Sequence, residues 1–356
     1  MNELQTAEHG AGSPQRRLNV WDAAVAMLVC VAVVAIALVA WQLAPLLLLI
    51  FGGALAAIFF RSLAEWTAQW THLSYGWSLG IVITLLIGLA SSGLVLGGQI
   101  IGNQMAELAE QVPKSLQKLR EDVAQYPWGE RLVNAAPSSP AEIPIEQAAA
   151  ASYATTAVYS FSGVVAALLI VLFLGIYFAL DYDKYVGGCV RLAPVARRVR
   201  LREVLAEVHQ TLRWWLLGKV VAMLIVGVST SVGLVALGVP LAAALGVIAA
   251  LLTFVPNFGP VISAVPAVLL GFVQSPTTAL YVVILYLAIQ TVESYLITPL
   301  IQQRTVSLPP GLTISAQIGM GILFGAGGIV LATPVAAAGL VAVKRLYVED
   351  ALESAS

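Results

Sequence analysis

From Val220 to Val292 the chain carries no Asp, Glu, Lys or Arg. That run is far longer than the roughly 20 apolar residues that cross a bilayer. A water-soluble helix needs a charged face, and no helix within this run could have one. Four more charge-free runs occupy Ala23 to Phe60, Gly76 to Gly102, Ser152 to Leu180 and Thr305 to Val343. Charged residues make up 10 % of the chain, against about 25 % in an ordinary soluble domain. The runs therefore specify an all-α membrane protein, a polytopic helical bundle of about 6–8 spans. The lipid bilayer is the one partner that composition dictates.

Charge outside the runs predicts orientation. Segment 103–151 has four Lys/Arg and seven Asp/Glu, whereas 181–213 has seven Lys/Arg and four Asp/Glu. Lys and Arg concentrate on the cytoplasmic side, so 181–213 is expected inside and 103–151 outside. The expected organisation follows. Residues 1–20 form a cytoplasmic polar tail, and 21–102 hold the first three spans, with Trp41-Gln42-Leu43-Ala44-Pro45 dividing 23–41 from 46–60. Residues 103–151 form an extracytoplasmic amphipathic segment and 152–180 a fourth span. A cytoplasmic basic amphipathic helix covers 181–213, a transport-site half 214–347 and a cytoplasmic tail 348–356. In 103–151, Leu116, Leu119 and Val123 share a helical face, which predicts a short helix at the outer interface, ended by Pro137-Ser138-Ser139-Pro140. In the basic segment, Leu201, Val204, Leu205, Val208, Leu212 and Trp215 recur at helical spacing.

Two segments of the C-terminal half are broken. Leu241 to Val255 and Val261 to Val273 flank Pro256-Asn257-Phe258-Gly259-Pro260, and Leu312 to Phe324 and Ile329 to Val343 flank Gly325-Ala326-Gly327-Gly328. Each piece alone is too short to cross about 30 Å of hydrocarbon. Two architectures fit: long kinked spans over 241–273 and 311–343, or re-entrant hairpins that return to the side they came from. The lengths favour hairpins. Non-helical backbone at membrane depth is tolerated only against protein or a watery cavity. Paired breaks in two short apolar segments are the sequence mark of a transporter's binding site. Pro256, Gly259, Pro260, Pro299, Gly325, Gly327 and Gly328 are the expected backbone breaks. The structural alternative is that Pro256 and Pro260 make only a tight turn.

The span 277–298 carries Glu293, with Gln290 and Ser294 at helical spacing on its face. An acid at membrane depth is costly, which makes it a functional candidate. The bland alternative is an interfacial glutamate paired with Lys219 or Arg304. Glu293, Gln290, Asn257 and Ser294 are the expected contacts of a small polar solute, with a sodium ion or a proton as alternative passengers.

Other chemistries lack their motifs. There is no phosphate-binding Gly-x-x-x-x-Gly-Lys-Ser/Thr loop, no His-Glu-x-x-His and no Gly-x-Ser-x-Gly. His9, His72 and His209 fall outside the spans, and Asp181 and Asp183 sit at a span end. Cys30 and Cys189 form no metal or disulfide pattern. A net charge of −1 without a basic–aromatic stripe gives no basis for nucleic-acid binding. No enzyme activity, metal or other cofactor is expected.

The ordered motifs GVPLAAALGVIAALLTFVPNFGPVISAVPA, QTVESYLITPLI, VSLPP and GILFGAGGIVLATP resemble the autoinducer-2 exporter family of bacterial membrane proteins. The similarity covers roughly residues 20 to 347. Pro256, Gly259, Pro260, Gln290, Glu293, Pro299, Pro309, Gly325, Gly328 and Pro334 match its motif positions. Two departures stand near the expected pathway. Phe258 replaces a smaller aliphatic residue, and Gln302-Gln303 replaces a loop that usually carries glycine. The resemblance implies a secondary transporter of the bacterial inner membrane. In some members the cargo is the furanone signal autoinducer-2, while others resemble sodium(lithium)/proton antiporters. It further implies a homo-oligomer with a moving transport unit.

Overall fold

The computed structural model describes residues 20–96, 98–124, 147–302 and 308–353. All the regular structure described is helical. We number the helices α1 (Val20–Thr71), α2 (Tyr75–Leu96), α3 (Gly98–Ala124), α4 (Gln147–Leu180) and α5 (Tyr182–Arg191). They continue as α6 (Arg198–Ala236), α7 (Ala242–Thr253), α8 (Phe258–Gln274), α9 (Pro276–Val292) and α10 (Pro310–Val343). Among the described residues five stretches are long and apolar enough to cross a membrane: Gln42–Thr71, Gly163–Leu180, Val195–Ala236, Pro276–Leu300 and Pro310–Glu349. Three shorter apolar helices, Tyr75–Leu89, Ala242–Thr253 and Phe258–Gln274, accompany them. The chain is thus a multi-pass helical membrane protein.

Helix α6 shows how the environment is written into its faces. Ala222, Val226, Gly227, Thr230 and Leu234 are buried, while Leu224, Val228, Val232 and Val235 are exposed. The outward face is as apolar as the inward one, the pattern of a helix surrounded by hydrocarbon. The inward face owes its closeness to small residues. A Cβ on Gly227 would lie 2.7 Å from Ala250, and one on Gly246 would lie 2.8 Å from the Gly227 carbonyl. Such contacts let the backbones of α6 and α7 approach where no aqueous hydrophobic force drives them together.

Several expected boundaries move. Trp41 to Pro45 does not divide the first run: α1 continues through Pro45, because spanning helices tolerate proline. The basic segment, expected as one helix over 181–213, divides at Leu192–Arg197 between α5 and α6, and α6 runs without interruption from Arg198 to Ala236. Thr298-Pro299 does not end its span either. The chain widens into a π-helical turn, Glu293–Ile297, and continues as Thr298–Gln302. Pro299 has no N–H to extend the ladder, and the preceding turn adjusts: the Thr298 N–H bonds the Glu293 carbonyl five residues back. Helix α3 does more than cover an interface. Its Leu108 joins a buried cluster with Leu234, Leu241, Leu245 and Leu270. Residues 1–19, Pro137–Pro140, Gln303 and Arg304 lie outside the described residues.

Both broken segments are hairpins. Helices α7 and α8 fold back at Pro256-Asn257, where Asn257 takes φ 68° and ψ −49° and the Phe258 N–H bonds the Pro256 carbonyl at 2.8 Å, a γ-turn. The far ends meet, since Gln274 Nε2 donates to the Gly238 carbonyl at 2.8 Å. Near the tip, a Cβ on Gly259 would collide with the Leu252 carbonyl. Helix α10 turns back at Gly325, with φ 63° and ψ −148°, a conformation essentially closed to residues with a side chain. A Cβ on Gly328 would collide with the Met320 carbonyl, and Ile329 covers Gly321. Further out, Thr313 and Thr333 face one cavity, and Leu308 and Ala338 pack on one apolar cluster. We call these hairpin 1 (α7–α8) and hairpin 2 (α10).

The hairpins come in from opposite ends of α6. The base of hairpin 1 sits at its C-terminal end, with Val239 N–H bonded to the Leu234 carbonyl at 2.9 Å. Helix α3 holds the same base: Gln104 Oε1 accepts from the Ala244 N–H at 3.0 Å, and Lys118 Nζ donates to the Val273 carbonyl at 3.2 Å. The outer arm of hairpin 2 leaves along the N-terminal end of α6. There Arg345 pairs with Glu207, and Arg200 with Glu349. The two hairpins overlap near Trp215 to Lys219.

Candidate functional site

The overlap encloses a cavity of ≈ 250 Å³. Hairpin 1 contributes Pro256, Asn257 and Pro260 from its tip; hairpin 2 contributes Pro310, Thr313 and Thr333 from its arms. Gln290, Glu293, Ser294 and Thr298 enter from α9 and its π turn, and Trp215 and Lys219 from α6. The site therefore gathers four separate elements around two interruptions of regular backbone. Half-helix ends in such a place present unpaired N–H and C=O groups.

Hairpin 2 satisfies part of that exposed backbone directly. Gln317 Nε2 donates to the Pro256 carbonyl at 3.0 Å. Gln317 is 1 % exposed, so this bond is sheltered from water and correspondingly valuable. Ser263 Oγ donates to the Pro260 carbonyl, and Tyr286 Oη to the Ser263 carbonyl. The ring of Trp215 meets Phe254 edge-on, with centroids 5.6 Å apart, beneath the tip.

The two ionisable groups of the lining form an ion pair. Lys219 Nζ lies 3.4 Å from Glu293 Oε1, with the two residues 9 % and 6 % exposed. They are also the charges that bound the long neutral run, so a segment without charge is closed upon itself by its own two ends. The other oxygen, Glu293 Oε2, is buried without a hydrogen-bond partner among the described residues, as is Thr333 Oγ1. Gln290 Nε2 donates to Ser294 Oγ at 3.1 Å. Unsatisfied acceptors at the wall of a polar cavity favour a guest that donates hydrogen bonds. The described residues contain no group of His, Cys, Asp and Glu placed to hold a metal ion.

Of the residues expected from sequence, Asn257, Gln290, Glu293, Ser294, Pro256 and Pro260 come together here. Gly259 lies behind the tip, against Leu252. Pro299 is absent from the lining, although its neighbour Thr298 is present. The second break also lies elsewhere. Gly327 lines a separate apolar cavity of ≈ 510 Å³ with Leu48, Gly52, Phe254 and Leu331, and Gly328 is packed on Met320. Opposed hairpins place the tip of one beside the arms of the other, so both breaks cannot meet the same guest equally. Lys219 had been visible only as one alternative partner for Glu293. Gln317 and Thr333 were missed. Gln317 carried a signal, being an amide within the apolar first arm of hairpin 2; Thr333 carried none.

Residues 30–347 match the family described as AI-2E family transporter. Three relatives share the sequence. "Putative transport protein YueF" of Bacillus subtilis is 28 % identical over 72 % of this chain and 73 % of its own. "Putative transport protein YrrI" of the same organism is 31 % identical over 46 % of this chain and 47 % of its own. "Putative transport protein MT0215" of Mycobacterium tuberculosis is 26 % identical over 73 % of this chain and 72 % of its own.

Proposed function

Because the chain belongs to the AI-2E family of membrane transporters, we propose that it exports a small polar solute, such as the signal autoinducer-2, through the cavity at Glu293. One observation carries this reading. Two opposed hairpins close on a polar cavity whose wall holds a buried carboxylate oxygen without a partner among the described residues. The walls are built from discontinuous helices, the architecture on which secondary transporters place their sites. The solute would sit among Asn257, Gln290, Glu293 and Ser294. Access would alternate as one hairpin parts from the cavity while the other stays closed.

The reading places the protein in the bacterial inner membrane with its C-terminus in the cytoplasm. Hairpin 1 then opens outward and hairpin 2 inward. The contacts of α3 with the base of hairpin 1 fit this arrangement, as do those of Arg345 and Glu349 with the start of α6. The protein is expected to work as a homo-oligomer.

The test is solute flux in proteoliposomes with an imposed proton or sodium gradient. Protein-dependent flux of autoinducer-2 is expected, falling at least about tenfold in Glu293→Gln. Flux equal to that of empty liposomes, with folded protein present, overturns the solute assignment. Glu293, the single acid of the lining among the described residues, supports a second reading, sodium/proton antiport with Glu293 as carrier. Sodium uptake that rises and falls with an imposed pH gradient, and is lost in Glu293→Gln, would select it.

A further inference from the structure

We infer that Lys219 is a tethered counter-cation, holding at Glu293 the place that a sodium ion would otherwise take. The inference rests on reading the Glu293 cavity as the solute site. The cavity wall that carries the carboxylate also carries Gln290, Ser294, Thr298 and Thr333, whose side-chain oxygens are the kind of ligand that hard cations seek. A buried carboxylate in such surroundings needs a positive charge nearby. Here the chain supplies it: Lys219 Nζ stands 3.4 Å from Glu293 Oε1, and both residues are under one-tenth exposed. Among the described residues the lining contains no other ionisable side chain. Its formal charge therefore sums to zero, and an uncharged hydrogen-bond donor can enter without bringing or displacing an ion.

Two consequences follow. Wild-type solute movement is independent of sodium. Removing only the ammonium leaves an uncompensated carboxylate among hydroxyls and amides, and that carboxylate recruits sodium from solution. Lys219 thus sets specificity by filling a cation site from within.

The experiment compares thermal unfolding of purified protein in sodium chloride and in choline chloride at equal ionic strength. Wild type and Lys219→Arg should unfold at the same temperature in both salts. Lys219→Gln should unfold earlier in choline and gain roughly 5 °C in sodium. The double variant Lys219→Gln/Glu293→Gln should lose that sodium response. If Lys219→Gln folds only in sodium, the inference is supported in a stronger form. If it folds in neither salt while the double variant folds, sodium does not take the place of the ammonium and the inference fails. It also fails if Lys219→Gln folds without responding to sodium.

The wild type gives a reading that needs no variant. A sodium-dependent rise in its unfolding temperature, or solute flux that stops when choline replaces sodium, overturns the inference. Absence of autoinducer-2 flux together with the expected salt pattern would instead overturn the solute assignment and leave the role of Lys219 standing.

Discussion

The two hairpins solve the same problem with different chemistry. Hairpin 1 turns on Pro256 and an Asn257 at positive φ, and its tip is polar and lines the cavity. Hairpin 2 turns on Gly325, and the residues beyond its tip line an apolar cavity instead. In the first, proline removes backbone donors and leaves carbonyls to be used, and Gln317 takes up one of them. In the second, glycine removes a side chain and lets two arms close to van der Waals distance. A break in a membrane segment thus marks either a place for a guest or a place for close packing. The surrounding polar atoms decide which.

Substitutions can break this comparison in order of expected effect. Gly259→Leu and Gly328→Leu each drive a side chain into the opposite arm, against Leu252 and Met320. Both should prevent a folded, monodisperse protein, as read by size-exclusion chromatography in detergent. Lys219→Met, read by chemical unfolding, should cost about 3–5 kcal/mol because a buried charge loses its partner. Gly325→Ala requires a conformation closed to alanine, and should cost about 1–3 kcal/mol. The equivalent change at the other tip, Asn257→Ala, should cost about 1 kcal/mol, since a γ-turn is strained but not closed to residues with a side chain. If the order of those two is reversed, the contrast between the tips is wrong.

Gln317→Leu should cost about 0.5–1.5 kcal/mol by removing one of the two donors to the Pro256 carbonyl, which also accepts from the Phe258 N–H. It sharpens the comparison, because it acts on hairpin 1 from within hairpin 2. Thr333→Val should change stability by under about 1 kcal/mol, since its hydroxyl has no partner to lose among the described residues. Its effect should appear in solute affinity alone, as a higher half-saturating concentration in the flux assay.

The sequence made the solvent legible, and with it the helical class. Charge-free runs cannot be hidden in a soluble protein of this length. It also located both breaks and the glutamate. Three things were not legible, each for a physical reason. Proline at position 45 looks like proline at position 256, yet α1 absorbs the former and the latter reverses the chain. The difference lies in neighbours: Asn257 and Gly259 permit a reversal, whereas Leu46 and Leu47 favour continuation. The glycines at 325–328 read as a second face of the site, because a sequence shows that a helix is broken and not which way its tip points. The pairing of Lys219 with Glu293 joins the two ends of a run without charges. No local pattern selects that pair over others, since it depends on α6 and α9 meeting in three dimensions.

The central claim is that the polar tip of hairpin 1, and not the apolar tip of hairpin 2, meets the transported solute. The most direct measurement is maleimide labelling of single cysteines at Asn257 and at Gly327, in a chain with Cys30 and Cys189 replaced by serine. Labelling is timed in proteoliposomes with and without autoinducer-2. The account predicts that the solute slows labelling at position 257 at least about tenfold and leaves position 327 unchanged. Protection at 327 with none at 257 would contradict it.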